Sequence, residues 1–193
     1  FIDLDATPYV YPETIDPATG QALVMTARVP LNGGDARITG LEMTYQQMFP
    51  TLPAPLDGLG LIAKYTYIES SNDFIAQTTG TDYGVPGLSE NTMNLTLFYE
   101  KGPLSARISL NKRDSFYQST DWSGAPIFAD DYRQLDASLR YAFGDTVVVS
   151  LDAINMADEN VEYFTRMASA QTKIHKNVVN TGPRMQFGVR VQF

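Results

Sequence analysis

The run Arg184-Met185-Gln186-Phe187-Gly188-Val189-Arg190-Val191-Gln192-Phe193 alternates polar and apolar residues without a miss and stops on an aromatic. As an extended strand it places Met185, Phe187, Val189, Val191 and Phe193 on one face, with Arg184, Gln186, Gly188, Arg190 and Gln192 on the other. Soluble domains rarely finish on a bare Phe. In a membrane β-barrel the apolar face meets lipid, the polar face meets the lumen, and a terminal aromatic sits where lipid gives way to water.

Moving outward from that end, six more segments show period-two alternation bounded by turn signals. They span 36–49, 59–70, 90–100, 104–114, 131–143 and 146–155. Each has about the length a tilted barrel strand needs to cross a bilayer. The connections alternate between tight (50–58, 101–103, 144–145) and long (71–89, 115–130, 156–183). Outer-membrane barrels have short periplasmic turns and long extracellular loops. If 184–193 runs towards the periplasm, every short turn falls inside and every long loop outside.

The faces agree with that topology. The apolar register carries Leu41, Met43 and Tyr45; Leu61, Ala63 and Tyr65; Met93, Leu95 and Leu97; Ala106, Ile108 and Leu110; Leu135, Ala137 and Leu139; and Val147, Val149 and Leu151. None is charged, as expected where a charge near the midplane costs about 2 to 4 kcal/mol. Arg37, Glu69, Lys101, Lys112, Asp114 and Arg133 share this parity but stand at segment ends, where headgroups begin. The opposite face has six cations (Lys64, Arg107, Arg113, Arg140, Arg184, Arg190) and three acids (Glu42, Asp136, Asp152), an excess that suits anionic cargo or pairing with other parts of a plugged lumen. Two interfacial aromatic belts are expected, with Phe49, Tyr99, Tyr141, Phe143 and Phe193 at the inner ends and Tyr67, Phe116 and Tyr132 at the outer ends.

Composition narrows the alternatives. There are 193 residues, no Cys and one His, with a net charge of -8, which disfavours nucleic acid as a partner. No run approaches the ~18 apolar residues of a spanning helix, so insertion must use strands. His175 lies between cations in Lys173-Ile174-His175-Lys176 and reads as a solvated loop residue without an orienting partner. Asp130-Asp131 and Asp158-Glu159 lack calcium-loop spacing, and Asn94-Leu95-Thr96 is an incidental glycosylation pattern inside a strand. No metal site, cofactor motif or nucleophile-and-base pair is present, so no enzyme activity is expected.

Seven segments ending in the periplasm require an earlier strand, because bacterial barrels have even strand numbers. Phe1-Ile2-Asp3-Leu4 reads as its outer end and 5–35 as an extracellular loop, with 21–29 as a hairpin arm. The chain therefore reads as the C-terminal portion of a larger barrel. The terminal run itself resembles the signature by which outer-membrane assembly machinery recognises its substrates, borne by Met185, Phe187, Val189, Val191 and Phe193.

The resemblance becomes specific in an ordered set: Asp35-Ala36-Arg37-Ile38-Thr39-Gly40-Leu41-Glu42; Leu59-Gly60-Leu61 before Tyr65-Thr66-Tyr67; Pro86-Gly87-Leu88-Ser89-Glu90-Asn91; Tyr99-Glu100-Lys101-Gly102-Pro103-Leu104-Ser105-Ala106-Arg107; Gln134-Leu135-Asp136-Ala137-Ser138; and Asp152-Ala153-Ile154-Asn155-Met156. Together these are similar to the late barrel strands of TonB-dependent outer-membrane transporters, over residues 33–193 outside the loops. Gly182-Pro183-Arg184 departs from the family's usual Gly-Arg pair and touches loop geometry only.

The resemblance implies an all-β, antiparallel transmembrane barrel of about 22 strands with a plugged lumen, of which this chain supplies roughly the last seven or eight, without the plug domain. It implies a multi-pass protein of a Gram-negative outer membrane that takes up a ferric siderophore, haem, cobalamin or an oligosaccharide, energised through the TonB complex. Its implied surroundings are the rest of the barrel, lipopolysaccharide, lipid and small-molecule cargo. Candidate cargo contacts lie in the long connections or on the upper lumen wall: Arg113 on the wall, and Tyr117, Asp121 and Trp122, the last the only Trp, with Tyr163 and Arg166, in the connections. A small barrel enzyme, a porin and a soluble carbohydrate-binding sandwich are the alternatives; the sandwich leaves the uncharged mid-strand faces unexplained.

Overall fold

A computed structural model of the chain describes residues 8–26, 34–166 and 172–192. Its strands in chain order are β1 (Pro8–Ile15), β2 (Ala22–Thr26), β3 (Ala36–Met48), β4 (Leu59–Asn72), β5 (Asn91–Lys101), β6 (Leu104–Arg113), β7 (Phe116–Thr120), β8 (Pro126–Ala129), β9 (Tyr132–Phe143), β10 (Val147–Ile154), β11 (Val161–Arg166), β12 (Lys173–Val179) and β13 (Arg184–Val191). A helix, α1, covers Asp73–Thr79, and a 3-10 turn covers Leu56–Gly58.

One antiparallel sheet dominates, in the order β13-β10-β9-β6-β5-β4-β3. Its seven strands coincide within about two residues with the seven alternating segments, because turn chemistry marks their ends. Lys101 and Leu104 pair across Gly102-Pro103, and Gly102 and Gly144 adopt positive φ where side chains are disfavoured. The sheet remains open: β3 and β13 are its edges.

The cross-strand register lines apolar residues into rows. Leu61, Leu97, Ile108, Ala137, Ala153 and Met185 face one another in succession across six strands. Leu59, Tyr99, Ala106, Leu139, Leu151 and Phe187 form a second row. Much of this face is open, with Leu97 at 47%, Ile108 at 53% and Phe187 at 68% exposure. Side chains of this kind, continuous over a sheet, exceed the few hundred Å² of apolar patch a soluble monomer tolerates. The soluble sandwich is thereby excluded, since it would bury this face against a second sheet.

The other face is polar. Thr44, Lys64, Asn94, Asn111 and Gln134 form one row, and Thr96 and Ser109 hydrogen-bond at 2.9 Å in the next. Its one large buried ring is Phe98, 6% exposed, lying over Gly60 so closely that a Cβ there would stand 2.2 Å from the ring. Arg107 pairs with Glu100 at 2.8 Å on this same face. Glu100 therefore belongs with the acids of the polar face, and the expected cation excess is smaller than six against three.

Two of the expected outer-belt aromatics lie elsewhere. Phe116 is buried at the start of β7, and Tyr132 is on the polar parity of β9, its hydroxyl donating to Gln134. Tyr67 keeps its place at the long-loop end, joined by Tyr65, which donates to Asn91 Oδ1. At the short-turn end Tyr141 and Phe143 are neighbours with ring centroids 4.6 Å apart, and Tyr99 donates to the Pro55 carbonyl at 3.0 Å. Phe193 and Phe1-Ile2-Asp3-Leu4 lie outside the described residues, as does the end of the expected arm at 21–29; the rest of that arm is β2, paired with β1.

The long connections are more ordered than the sequence reading has them. Those after β6 and β10 contribute a second, four-stranded sheet, β12-β11-β8-β7, and the one after β4 contributes α1. Their strands are four to seven residues long and irregular in register, too short for a period-two signal to stand out.

Placing a charge in the open face tests its environment. Ile108→Lys is expected to lower stability in lipid by about 2 to 4 kcal/mol, whereas Ser138→Lys, on the polar parity, costs far less. Denaturant unfolding of the protein in liposomes, read by tryptophan fluorescence, checks both.

Candidate ligand-binding site

The long-loop end is built around a small aromatic core. Asn72 ends β4 and caps α1, its Oδ1 accepting from the backbone of Phe74 at 3.1 Å and Ile75 at 3.3 Å. The helix buries Phe74 and Ile75 against Tyr117, with Tyr83 and Phe128 packed on the cluster. Tyr83 stacks on Tyr117 at 5.5 Å, and Phe128 meets both edge-on before stacking on Phe164, which is wholly buried. This cluster ties the connection after β4 to the four-stranded sheet.

A cleft of about 440 Å³ opens beside the cluster. Its walls are the end of β4 at Tyr67 to Ser70, the turn at Asp82, Tyr83 and Gly84, the start of β7, and Phe128 and Arg166. Asp82 Oδ1 accepts from the backbone of Gly84 and Asn72, and Ser70 Oγ accepts from that of Val85 at 3.1 Å, which pins the turn to the strand. Gly84 is required by two independent constraints: its φ is +76, and a Cβ would stand 2.5 Å from Ser70 Oγ.

The six residues singled out in the sequence are not brought to one place. Arg166 lines the cleft, its guanidinium 5.6 Å above Phe128 and 5.5 Å above Phe164. Among the described residues no carboxylate forms an ion pair with it. Tyr117 also borders the cleft, but at 3% exposure with its hydroxyl bonded to Thr120 its ring belongs to the core. Arg113 stands apart from the cleft lining, on the polar parity, between the rings of Phe116 at 4.9 Å and Tyr132 at 5.6 Å. Tyr163 is partly buried in β11, opposite Asn177 and Ala129.

Asp121 and Trp122 occupy the tip of the β7–β8 hairpin. The Asp121 carboxylate accepts from the Ser123 hydroxyl at 2.6 Å, from Lys176 at 3.0 Å, and from the backbone of Ser123 and Ala125. These bonds, led by that of Ser123, hold its pKa well below the usual carboxylate range. Asp121 is therefore committed to the turn, and beside it Trp122 is presented at 98% exposure.

The remaining features of this end are structural. Burial pushes the Asp130 carboxyl up, but bonds from Lys173 at 2.7 Å and the Asp131 backbone outweigh it and the pKa falls. His175 is on β12 with Nδ1 3.3 Å from Glu162, so the imidazole does have an orienting acid, contrary to the sequence reading. The cleft-lining Tyr83 was not expected, and its lone place in a polar connection gave no periodic signal. No group of three potential metal ligands occurs among the described residues.

Residues 2–156 match the family model described as TonB dependent receptor-like, beta-barrel. The chain belongs to that family. The crystal structure of the siderophore receptor PiuA from Acinetobacter baumannii shares the fold at 17% identity and a TM-score of 0.56, over 81% of this chain. The chain spans 22% of that receptor's length. A search of curated proteins found no match. A family of receptor β-barrels is in line with the antiparallel sheet and its open apolar face.

Two measurements follow from the loop chemistry. Phe164→Ala is expected to lower the local stability of the four-stranded sheet by about 3 to 5 kcal/mol, seen as faster amide exchange in β8 and β11 without loss of the large sheet. Asp121→Asn is expected to speed exchange at Ser123, Ala125 and β12 at pH 7. A carboxylate with a depressed folded pKa stabilises fully above its unfolded value, about 3.9, and the contribution is lost as pH falls through the folded value. The native hairpin tip should therefore stay protected at neutral and mildly acid pH and loosen progressively as pH falls below ~3.9.

Proposed function

We propose that this chain forms one part of the wall of a larger, plugged barrel that takes up a scarce nutrient across the outer membrane, a ferric siderophore before haem, cobalamin or an oligosaccharide. Energy would come through TonB acting on parts outside these residues. The observation that carries the reading is the seven-stranded sheet with one face uncharged between its strand ends and two open edges. In hydrocarbon, unpaired edge groups each cost several kcal/mol, so further strands must complete them. The siderophore class is favoured because the fold neighbour is described as a siderophore receptor.

In this reading the long loops face outward and the cleft beside the aromatic cluster contributes to cargo capture. Arg166 is the strongest contact candidate, since its charge lies on two rings with no carboxylate partner among the described residues. Trp122, raised on a braced hairpin, offers a stacking surface. Arg113 and Tyr163 would act through the polar face and the loop sheet, Tyr117 and Asp121 by holding the shape of the site.

The test uses the full receptor. Cells lacking it, supplied with a panel of ferric siderophores as sole iron source, are expected to lose uptake of one of them, and collapse of the proton gradient should stop uptake in complemented cells. Uptake that survives the collapse would remove the TonB reading. Arg166→Ala is expected to weaken binding of that siderophore about tenfold, equivalent to ~1.4 kcal/mol. Produced alone, residues 1–193 should require detergent and give no monodisperse water-soluble monomer.

A further inference from the structure

The cleft beside the aromatic cluster is unevenly charged. Its lining holds three acidic residues, Glu69, Asp82 and Glu90, against one cation, Arg166. A neighbouring hollow of about 540 Å³ shares Glu69, Ser70 and Asp82 and adds Arg37. Acids therefore outnumber cations across both, on a chain whose net charge of -8 acts in the same sense at longer range.

The acids come from one side. Glu69 stands near the end of β4, and the Ile68 N–H donates to the Glu90 carbonyl at 2.8 Å, which sets the approach to β5 beside it. Asp82 belongs to the turn pinned to that strand, its Oδ1 already accepting from the backbone of Gly84 and Asn72. Elsewhere at the long-loop end carboxylates have lysines of their own, Lys176 for Asp121 and Lys173 for Asp130. Glu69 and Glu90 are exposed and make no ion pair among the described residues. Arg37, diagonal to Glu69 across the β3–β4 ladder, forms none with it.

The single cation of the cleft comes from the loop sheet, on β11. With its charge over Phe128 and Phe164, Arg166 still has N–H donors for oxygen acceptors. It can offset one negative charge and no more.

We infer that the cleft selects a ferric complex of zero or positive net charge, of the hydroxamate class, and rejects polyanionic ones. Three hydroxamates neutralise a ferric ion, whereas three catecholates leave a trianion. The hydroxamate oxygens around the metal remain acceptors for Arg166, and an ammonium on the ligand finds Glu69 and Glu90. A trianion meets one guanidinium and three carboxylates, and like charges brought together in this way are what suppress wrong partners. The inference rests on the siderophore reading above and assigns the charge of its cargo. The anionic cargo suited to the cations of the polar strand face is not the cargo suited to this cleft.

The experiment uses the full receptor, purified in detergent, with equilibrium binding read by isothermal calorimetry. The probes are ferrioxamine B, a ferric trihydroxamate with a terminal ammonium; its N-acetyl derivative, which is neutral; its N-succinyl derivative, which is anionic; and a ferric tris-catecholate as the polyanion. At low ionic strength ferrioxamine B should bind about tenfold more tightly than the N-succinyl derivative, with the N-acetyl derivative between them and the tris-catecholate weakest. Added salt should narrow the spread, because it screens exposed charges.

Glu69→Gln/Glu90→Gln should reduce the ratio between the ammonium and succinyl complexes to about twofold or less. Asp82 is left in place because it holds the turn, and each single Gln substitution reads the same ratio if the double variant fails to assemble. Equal or tighter binding of the N-succinyl or tris-catecholate complex overturns the inference, as does an undiminished ratio in the Gln variants. Either result leaves the siderophore reading standing. Binding of none of the ferric complexes, charged or neutral, overturns both.

Discussion

Hydrocarbon offers no hydrogen-bond partner to a peptide group, and the large sheet answers that constraint. Within it β4, β5, β6, β9 and β10 each have a neighbour on both sides, so their N–H and C=O groups are spent within the ladder. Once the backbone is committed in that way, side chains can only alternate between two environments. The uncharged rows on one parity and the polar rows on the other are the outcome. The aromatic and charged residues at the strand ends follow from the same rule, since they belong where lipid stops being dry.

Above the long-loop end the constraint changes. Water can solvate loose backbone there, yet the chain builds a second sheet and a short helix around Tyr83, Tyr117, Phe128 and Phe164. Burial of rings supplies the order, and carboxylates such as Asp121 and Asp130 hold the turns with bonds to lysines on β12. The loops are thus a small folded layer with its own core. That layer fixes the shape of the cleft while leaving Arg166 and Trp122 available at its surface.

The barrel strands were legible because their signal is long and redundant: ten or so alternating residues, a Gly or Pro turn, then the reverse. β13 alone states the rule from Arg184 to Val191. The loop layer was not legible in the same way. β8 has four residues, and α1 has seven, one turn of which is announced only by Asn72 acting as a cap. Parity also misled where a strand gives way to a loop: Phe116 follows β6 closely in sequence but lies in a different sheet. Likewise Tyr117 reads as an exposed aromatic in a polar run, and only packing shows that it is core.

The register has a geometrical consequence. The row that begins at Leu61, two residues into β4 from the short-turn end, finishes at Met185, one residue into β13 from the long-loop end. Rows that climb the wall in this way mean that the strands lean, as closure of any barrel demands. An acyl chain standing upright in the leaflet therefore cannot follow a single groove between two strands. It crosses several, resting in turn on Leu, Val, Ala and Phe side chains from different hairpins. Solvation by lipid is in that sense collective: each chain touches a mosaic, and neighbouring hairpins share every molecule that wets them.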